Sequence, residues 1–447
     1  MKITVVGGGG SRTPLLYHGV VQRMGDLPAV ELMLHDTSAP WLARVRKVIG
    51  GIDEALGVGV PTTTTTDLDV ALDSADFVLT AIRAGGFDAR RSDEAVPLAH
   101  GVVGQETVGP GGFGLALRNI PALADIARVM RRRCPDAWLV NLANPAGMAT
   151  EGLGQQLGDR VIGVCDSPVA LMRGVADALS EDPGELHFDY GGLNHLGWLT
   201  GVWRRGRDLL PGLIESPRLE VVDEVRLIGA DRVRALGAVP NEYLYFYERT
   251  ADVLANVSGN ESRGAFLAGH RRDLAAALDE ATTPPAALAA YRASLRQRQD
   301  TYLVTESGMV ARSSDDVFAD AGGYHEMALS VVQAIACDRP TVVVVNTRNR
   351  GALSFLPDDV VVEVPAVVHA AGAFPLAADV PAAGRQLVER VKAFEQATLR
   401  AITSRSRREA AAALATHPLV PTQSAADAIV AQYAARMPLV SALLRAS

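Results

Sequence analysis

The sequence predicts an α/β protein, with a parallel sheet in the first third of the chain and a mixed α+β region after it. Strand-like and helix-like segments alternate up to about Pro168, which is the order of βαβ units. The first strand-like run, KITVV, ends in four glycines and leads into a helical pattern. After Pro168 this alternation weakens. These observations predict a Rossmann-like domain over residues 1–168 and an α+β domain over residues 169–447.

The strands of the first domain are predicted from short apolar, β-branched runs that end in polar or glycine-rich sequence. They are KITVV, AVELMLHD, ADFVLTAI, AWLVNLANP and DRVIGVCD, and we expect the last of these to close the sheet. The threonine run at 62–66 suits a strand at a sheet edge. The segment SRTPLLYHGVVQRM is predicted as a helix, because Pro14 is tolerated in a first turn.

After Pro168, helices and strands are predicted from their own patterns, because few strand–helix–strand crossovers are visible there. ALMRGVADAL and GRQLVERVKAFEQATLRAI have helical patterns, and AAALDEATTPPAALAA is predicted as helix-turn-helix. The strand-like stretches are LHFDYGGLNHLGWLTGVW, TVVVVN and DDVVVEVPAVV. No internal repeat is visible in the sequence.

Composition limits the class of protein. The chain has 447 residues, 48% hydrophobic and 21% charged, which is a globular balance large enough for two domains. Its net charge of −8 argues against a nucleic-acid partner, and no apolar run has the length of a membrane span. The three cysteines, Cys134, Cys165 and Cys337, have no disulfide-like spacing. Together these features predict a reduced, cytoplasmic enzyme.

The segment GGGGSRTP follows a strand and opens a helix, the context of a phosphate cradle built from backbone N–H groups. Gly8 and Gly10 match the first two glycines of the dinucleotide pattern, whereas Thr13 stands at the third. Asp36 ends the second strand, where a carboxylate accepts from ribose hydroxyls and repels a 2′-phosphate. The pattern therefore favours NAD over NADP. A glycine-rich turn with a capping aspartate is the alternative.

Two glycine-rich segments, AIRAGG and GQETVGPGGFGLALRNIP, are predicted as loops that approach a ligand. They carry Arg83, Glu106 and Arg118, and an arginine there presents a fork to an anionic oxygen pair. Surface ion pairs are an equally good interpretation of each. In NLANPAG, Asn144 stands where an asparagine holds a substrate hydroxyl near a nicotinamide, although an Asx-Pro turn also explains it.

Cys165 in VCDSP and His195 in GLNHLGW lie too far apart for compact metal-finger spacing, so the residues alone favour a buried core cysteine. In NEYLYFYERT, Tyr243 shares a face with Tyr247 if the segment is helical, or with Tyr245 if it is extended. Taken by itself this pattern is typical of an aromatic core.

Taken together, these motifs resemble glycoside hydrolase family 4, and most of all its 6-phospho-β-glucosidase branch. The resemblance is carried in chain order by GGGGSRTP, IRAGG, GQETVGPGGFGLALRNIP, ANPAG, GVCDSP, GLNHLGW, NEYLYFY, VVNTRNRGALSFLPDDVVVEVP and THPLVP. It implies a fold of the lactate and malate dehydrogenase type, with NAD and a divalent metal, often manganese, as cofactors. It also implies a homodimer or homotetramer whose second domain binds substrate and forms the oligomer.

The resemblance assigns roles residue by residue. Cys165 and His195 match the family's metal ligands, Tyr243 matches its base, and Asp166 matches a position assigned as general acid where it is aspartate. The cofactor residues implied are Gly8, Gly10, Ser11, Arg12, Asp36 and Asn144. The substrate-binding residues implied are Arg83, Glu106, Arg118, Asn144 and His195.

The implied reaction is hydrolysis without net redox change. NAD⁺ takes a hydride from sugar C3, the resulting ketone acidifies the C2 proton, and Tyr243 removes that proton. Elimination then expels the C1 leaving group with help from Asp166, water adds, and the hydride returns. A net NAD-dependent hydroxy-acid or sugar dehydrogenase and a catalytically inactive NAD-binding sensor are the rival functions.

Several positions depart from the 6-phospho-β-glucosidase pattern, and most of the departures remove a polar group that could bind a phosphate. Gly10, Ala143 and Ala321 stand for serine, threonine and arginine, Asn119 replaces a threonine, and Glu326 stands for a tyrosine. A sulfonate carries one negative charge and needs fewer donors than a phosphate. The resemblance therefore leaves open a 6-phosphoglucoside or a sulfoquinovoside as the C6-anionic substrate.

Overall fold

The computed structural model describes residues 1–257, 262–308 and 323–444. The strands of its first part are β1 Lys2–Val6, β2 Glu31–His35, β3 Thr62–Thr65, β4 Phe77–Thr80, β5 Trp138–Asn141 and β6 Val161–Gly163. The helices of this part are α1 Thr13–Gln22, α2 Ala39–Leu56, α3 Leu68–Leu72, α4 Gly86–Ala99, α5 Gly109–Arg133, α6 Ala146–Leu157 and α7 Ser167–Leu179.

The second part mixes antiparallel strands with helices. Its strands are β7 His187–Leu193, β8 Leu196–Arg204, β9 Arg207–Asp208, β10 Val239–Pro240, β11 Thr341–Arg348, β12 Val361–His369 and β13 Gly372–Pro375. The helices before β11 are α8 Leu210–Ile214, α9 Asp223–Ile228, α10 Ala230–Leu236, α11 Leu244–Glu248, α12 Thr250–Val257, α13 Arg263–Glu280, α14 Pro284–Asp300, α15 Val304–Ser307 and α16 Tyr324–Ala336. The last four are α17 Ala382–Ser404, α18 Arg407–Ala415, α19 Gln423–Arg436 and α20 Pro438–Leu443.

The first six strands form a parallel sheet in the order β3-β2-β1-β4-β5-β6. This is the Rossmann order, in which ligands bind at the carboxyl ends of the strands near β1 and β4. The threonine-rich β3 is the edge strand, as predicted. The predicted fold class is therefore confirmed for this part of the chain.

The sheet does not end at β6, so that prediction was wrong. β11 pairs antiparallel with β6 through Asn346 and Gly163, and the order continues through β12, β7, β8 and β10. β11 lies far along the chain from β6, and no local turn signal links the two strands. The boundary predicted at residue 168 stays a prediction.

The prediction of a loop over GQETVGPGGFGLALRNIP was also wrong from Gly109 onwards, where α5 begins. A Cβ on Gly111 would stand 1.8 Å from the carbonyl oxygen of Gln105, and one on Gly112 would stand 2.4 Å from that of Thr107. The glycines thus let the helix lie directly against the segment that precedes it. They serve close packing, which a glycine count cannot distinguish from a loop.

The predicted helix-turn-helix is confirmed as α13 and α14, with Thr283 capping α14. Helix α14 packs on α2 so closely that a Cβ on Gly51 would stand 2.4 Å from the carbonyl oxygen of Pro284. The second part of the chain thereby covers the face of the sheet next to the glycine-rich turn. Among the described helices, none is both long and apolar enough to cross a membrane.

Candidate active site

The predicted site residues of the first domain gather at one edge of the sheet. The glycine-rich turn at 7–12 follows β1, Arg83 follows β4, Asn144 follows β5 and Cys165 follows β6. These strands are parallel neighbours, so their carboxyl ends face the same side. The structure therefore brings these residues to one edge of the sheet, and their roles stay predictions.

The glycine-rich turn is packed on its inner side and open on its outer side. Gly7 has φ +96°, and a Cβ there would stand 2.7 Å from the carbonyl oxygen of Ala81. A Cβ on Gly8 would stand 2.8 Å from the Cβ of Leu34. Gly10 has only the carbonyl oxygen of Gly7 nearby, at 3.0 Å. The turn thus leaves space beside the N-terminus of α1, where backbone N–H groups attract phosphate oxygens.

Asp36 is fixed at the end of β2 by backbone donors. Its Oδ2 accepts from the Gly9 N–H at 3.0 Å, and its Oδ1 accepts from the Ser38 N–H at 2.9 Å. Each oxygen keeps a further lone pair for a ribose hydroxyl. The carboxylate therefore has the position and the free acceptors that the sequence prediction requires.

Arg83 and Glu106 meet as an ion pair, and Arg90 of α4 joins them with its Nη1 2.8 Å from Glu106 Oε2. Arg90 is in turn held by Glu94, with Nε to Oε1 at 2.9 Å. Burial alone raises the pKa of Glu106, but the charges of Arg83 and Arg90 outweigh it and lower that pKa to about 2. Glu106 is therefore an anion that orients two arginines.

Arg118 does not face this space, which argues against the substrate contact implied for it. Its guanidinium forms two 2.7 Å bonds with Asp93 and also donates to the carbonyl oxygens of Ala84 and Gly114. The side chains of Arg118 and Asp93 are 1% and 0% exposed. Because these partners use its donors, Arg118 is not available to a substrate. It instead holds the loop after Arg83 in place through the Ala84 carbonyl oxygen.

Asn144 lies at a cis peptide bond with Pro145, directly before α6. Its carbonyl oxygen accepts from Asn119 Nδ2 at 2.7 Å, and Asn119 Oδ1 accepts from the Ala84 N–H at 2.7 Å. Asn119 is 1% exposed. This departure from the family pattern therefore ties two site loops together.

His195 and Tyr243 form a stacked pair, with ring centroids 3.8 Å apart and planes 15° apart. His195 sits in the tight turn between β7 and β8 at φ +62°, and Tyr243 precedes α11. Burial lowers the pKa of His195 to about 3, against the opposing charge of Glu106. The imidazole is thus neutral, which is the form that binds metals.

Tyr243 and Tyr247 pack in the same hydrophobic cluster but contact different histidines, since the ring of Tyr247 lies 5.8 Å from that of His417. The short helix α11 turns Tyr247 towards this second histidine. Tyr243 is therefore the tyrosine of this segment that meets His195.

Cys165 is 1% exposed, and its Sγ has only long contacts, to Asp166 Oδ1 at 3.9 Å and Ser167 Oγ at 3.7 Å. Burial, followed by the charges of Glu363 and Asp166, raises the pKa of its thiol well above the ordinary value. Asp166 lies 3.5 Å from Arg12, its Oδ2 to Nη1, and so joins the glycine turn to the cysteine loop.

Glu242 belongs to this site, although the sequence analysis did not single it out. Its Oε1 accepts from Ser167 Oγ at 2.8 Å, while burial raises its pKa to about 7. It directly precedes Tyr243 in the motif NEYLY. A carboxylate at the start of an aromatic, buried segment was the signal that could have found it.

Glu363 is a second residue that the sequence analysis missed. This 1% exposed side chain on β12 accepts from Asn346 at 2.9 Å, from Asn194 at 3.1 Å and from the Tyr190 hydroxyl at 3.2 Å. Burial outweighs these bonds and raises its pKa to about 7. A single charged residue in the buried run VVVEVP was the available signal.

The hydrogen-bond network of Glu363 reaches the loops that carry His195 and Tyr243. Asn194, next to His195, accepts from the Ala146 N–H at 3.0 Å. Asn241 donates to Tyr190 at 3.2 Å and accepts from the Tyr243 N–H at 3.2 Å. One buried network thus fixes the loops that carry the stacked rings.

Among the buried polar atoms without a hydrogen-bond partner within the described residues, four belong to side chains of this site. They are Arg83 Nη1, Asn144 Oδ1, His195 Nδ1 and Glu242 Oε2. Buried polar groups are normally satisfied, so their concentration here marks a ligand site.

Metal binding depends on which side chains of the site can act as ligands. In the described part of the chain, no group of three or more histidine, cysteine, aspartate or glutamate side chains is arranged to hold a metal ion. Cys165 and His195 are both buried, and His195 Nδ1 lacks a partner. The two residues fit a metal that takes its remaining ligands from substrate or water.

Glu326 does not oppose an anion in this site, because Arg173 forms an ion pair with it and both side chains are partly exposed. Ala143 is 2% exposed and buried beside Asn141. Ala321 lies outside the described residues. Of the departures that the structure describes, Glu326 and Ala143 therefore have different surroundings.

The chain was compared with known proteins. The Family 4 glycosyl hydrolase model matches residues 2–181, and the Family 4 glycosyl hydrolase C-terminal domain model matches residues 190–420. A probable 6-phospho-beta-glucosidase of Bacillus subtilis (strain 168) is 32% identical over 443 residues, covering 96% of this chain and 95% of the relative.

Solved structures agree with these matches. The 6-phospho-beta glucosidase from Thermotoga maritima, solved with manganese, NAD+ and glucose-6-phosphate, has a TM-score of 0.85 and 25% identity and covers 100% of both chains. Lactate dehydrogenase from Eimeria maxima, with a TM-score of 0.51 and 13% identity over 90% of this chain and 96% of its own, shares the fold alone.

The sheet order, the open glycine turn and the unsatisfied polar edge define an enzyme of the dinucleotide-binding α/β class. The matches over both parts of the chain show that it belongs to family 4 of the glycosyl hydrolases. The predicted family, the predicted fold and the prediction of a glycosidase are thereby confirmed.

Proposed function

We propose that the chain is an NAD-dependent glycosidase that cleaves glycosides of a hexose with an anionic group at C6, either a 6-phosphoglucoside or a sulfoquinovoside. The observation that carries this proposal is the stacked His195–Tyr243 pair, joined to the Cys165 loop through the Ser167–Glu242 hydrogen bond, together with polar atoms that lack partners in the described chain. The relatives named as 6-phospho-beta-glucosidases support the substrate class.

NAD fits the glycine turn. The open side of Gly10 leaves room for the pyrophosphate beside Ser11 and Arg12, and Asp36 accepts from the adenosine ribose. Asn144, with its unsatisfied Oδ1, holds the nicotinamide end or the sugar hydroxyl beside it. NAD was also present in the T. maritima relative.

When bound, NAD would accept and return the C3 hydride, and a divalent metal such as manganese would polarise the sugar oxygens at C2 and C3. Tyr243, in the phenolate form that a neighbouring cation favours, removes the C2 proton, and the stack with His195 fixes the ring for that transfer. Asp166 passes a proton to the leaving-group oxygen. A cofactor pyrophosphate that engages Arg12 would free Asp166 from its 3.5 Å ion pair for this role.

The metal ligands in this proposal are Cys165 and His195. Because burial disfavours a bare thiolate, a cation at Sγ is what makes the charged form of Cys165 stable.

Chelation should therefore abolish turnover, and manganese should restore it. Cys165→Ala should lose the rise in melting temperature that manganese gives the unmutated chain, with Cys134→Ala as a buried-cysteine control. Full activity without metal would leave Cys165 a structural residue.

The rival function, a net dehydrogenase, predicts a different cofactor balance. Hydrolysis without net redox change needs NAD in catalytic amounts, and the absorbance of NADH at steady state should stay flat while the aglycone is released. The chain freed of NAD should be inactive and should recover on its addition. Stoichiometric NADH with each turnover would instead establish the dehydrogenase.

A further inference from the structure

Helix α14 brings two side chains of one helical face to the glycine turn. Tyr291 donates its hydroxyl to the Ser11 carbonyl oxygen at 2.5 Å, and Arg298, seven residues on, donates from Nη1 to Ser11 Oγ at 3.4 Å. A helix from the second part of the chain thus lies over the N-terminus of α1. Nothing in the sequence motifs pointed to Arg298.

Arg298 has no acidic partner within the part of the chain that the structure describes. In residues 1–257, 262–308 and 323–444, no carboxylate lies within ion-pair distance of its guanidinium. Burial first, and then the like charges of Arg12, Arg90 and Arg263, lower its pKa to about 9, with Glu106 as the opposing charge. Arg298 is partly buried, and three like charges surround it, so an anion bound there would be stabilised by this cluster.

The nearby Arg90 and Arg12 each have a carboxylate neighbour, whereas Arg298 has none in the described chain. Arg90 is held between Glu94 and Glu106, and Arg12 is close to Asp166. Arg298 therefore lies where the cofactor turn meets the loops that carry Arg83 and Glu106.

We propose that Arg298 binds a phosphoryl or sulfonyl oxyanion between α14 and the N-terminus of α1. The partial positive charge of that terminus and the guanidinium fork act on the same group. This inference rests on the proposed function, which supplies two candidate anions, the pyrophosphate of NAD and the C6 group of the sugar. Both present the same chemistry to Arg298.

Binding measurements separate the two sources without depending on turnover. The variants are Arg298→Gln and Arg298→Lys, with Arg296→Gln, an exposed arginine of the same helix, as the control. Calorimetry gives the affinity for NAD, and then for glucose 6-phosphate with NAD saturating. We expect Arg298→Gln to weaken one of these by at least about ten-fold, and Arg298→Lys to recover part of the loss.

Weakened NAD binding assigns Arg298 to the pyrophosphate, whereas weakened sugar binding with NAD unchanged assigns it to the C6 anion. If Arg298→Gln does not fold, a loss in Arg298→Lys that Arg296→Gln does not show provides the same support. Unchanged affinities for both ligands in the folded Arg298 variants would overturn the inference. Failure of the unmutated chain to bind either ligand would instead overturn the proposed function.

Discussion

Replacing Tyr243 with phenylalanine is expected to lower kcat by about 10²–10⁴-fold while NAD affinity stays the same, because only the proton-accepting oxygen is lost. The phenylalanine ring keeps the stack on His195, whose centroid lies 3.8 Å away. Steady-state kinetics with a nitrophenyl glycoside, alongside calorimetry with NAD, would measure both quantities.

The matched control is Tyr247→Phe. Tyr247 belongs to the same segment, but its ring packs near His417 and not near His195. Its loss should leave kcat close to that of the unmutated chain. Near-normal kcat in Tyr243→Phe would mean that another group removes the C2 proton, and Glu242, with its unsatisfied Oε2, would be the next candidate.

The C6 group of the substrate is expected to control activity almost as strongly. Arg83 carries a buried Nη1 with no partner in the described chain, and two charged hydrogen bonds contribute about 3–6 kcal/mol. A neutral glucoside should therefore show kcat/KM lower by about 10²–10⁴-fold than a C6-anionic one. Arg83→Gln should remove most of this preference, whereas Arg91→Gln on the exposed side of α4 should keep it.

Side-by-side assays of nitrophenyl glycosides with hydroxyl, phosphate and sulfonate at C6 test this expectation. Because a sulfonate carries one negative charge and needs fewer donors than a phosphate, we expect the sulfoquinovoside to be at least as good as the 6-phosphoglucoside. Comparable turnover of the neutral glycoside would remove the anion pocket from the proposal altogether.

The sequence predicted the parallel part of the fold because each βαβ unit is local. The strand ends, the glycine turn after β1 and the edge position of the threonine strand all follow from short patterns. The continuation of the sheet past β6 was missed, since β11 follows β6 by more than 170 residues of chain, as their bounds show. Helix α5 was missed because close packing and flexibility both call for glycine.

Some site residues could be predicted from the sequence and others could not, because only local patterns are visible in a sequence. Residues at strand ends, such as Asp36 and Cys165, could be placed from motifs. Arg118 could not, because its partner Asp93 lies on another helix and no motif records the pair. Arg298 and Glu363 reach the site from distant segments, so only the folded chain shows their neighbours.

The elimination step is the centre of this account, and hydrogen exchange at sugar C2 tests it most directly. The reaction is run in deuterated water with NAD and manganese, and the released sugar is examined by NMR. The elimination mechanism predicts that deuterium appears at C2 with each turnover. It also predicts that Tyr243→Phe slows both the appearance of deuterium and product release. Normal product formation with protium retained at C2 would contradict it and would indicate direct displacement at C1.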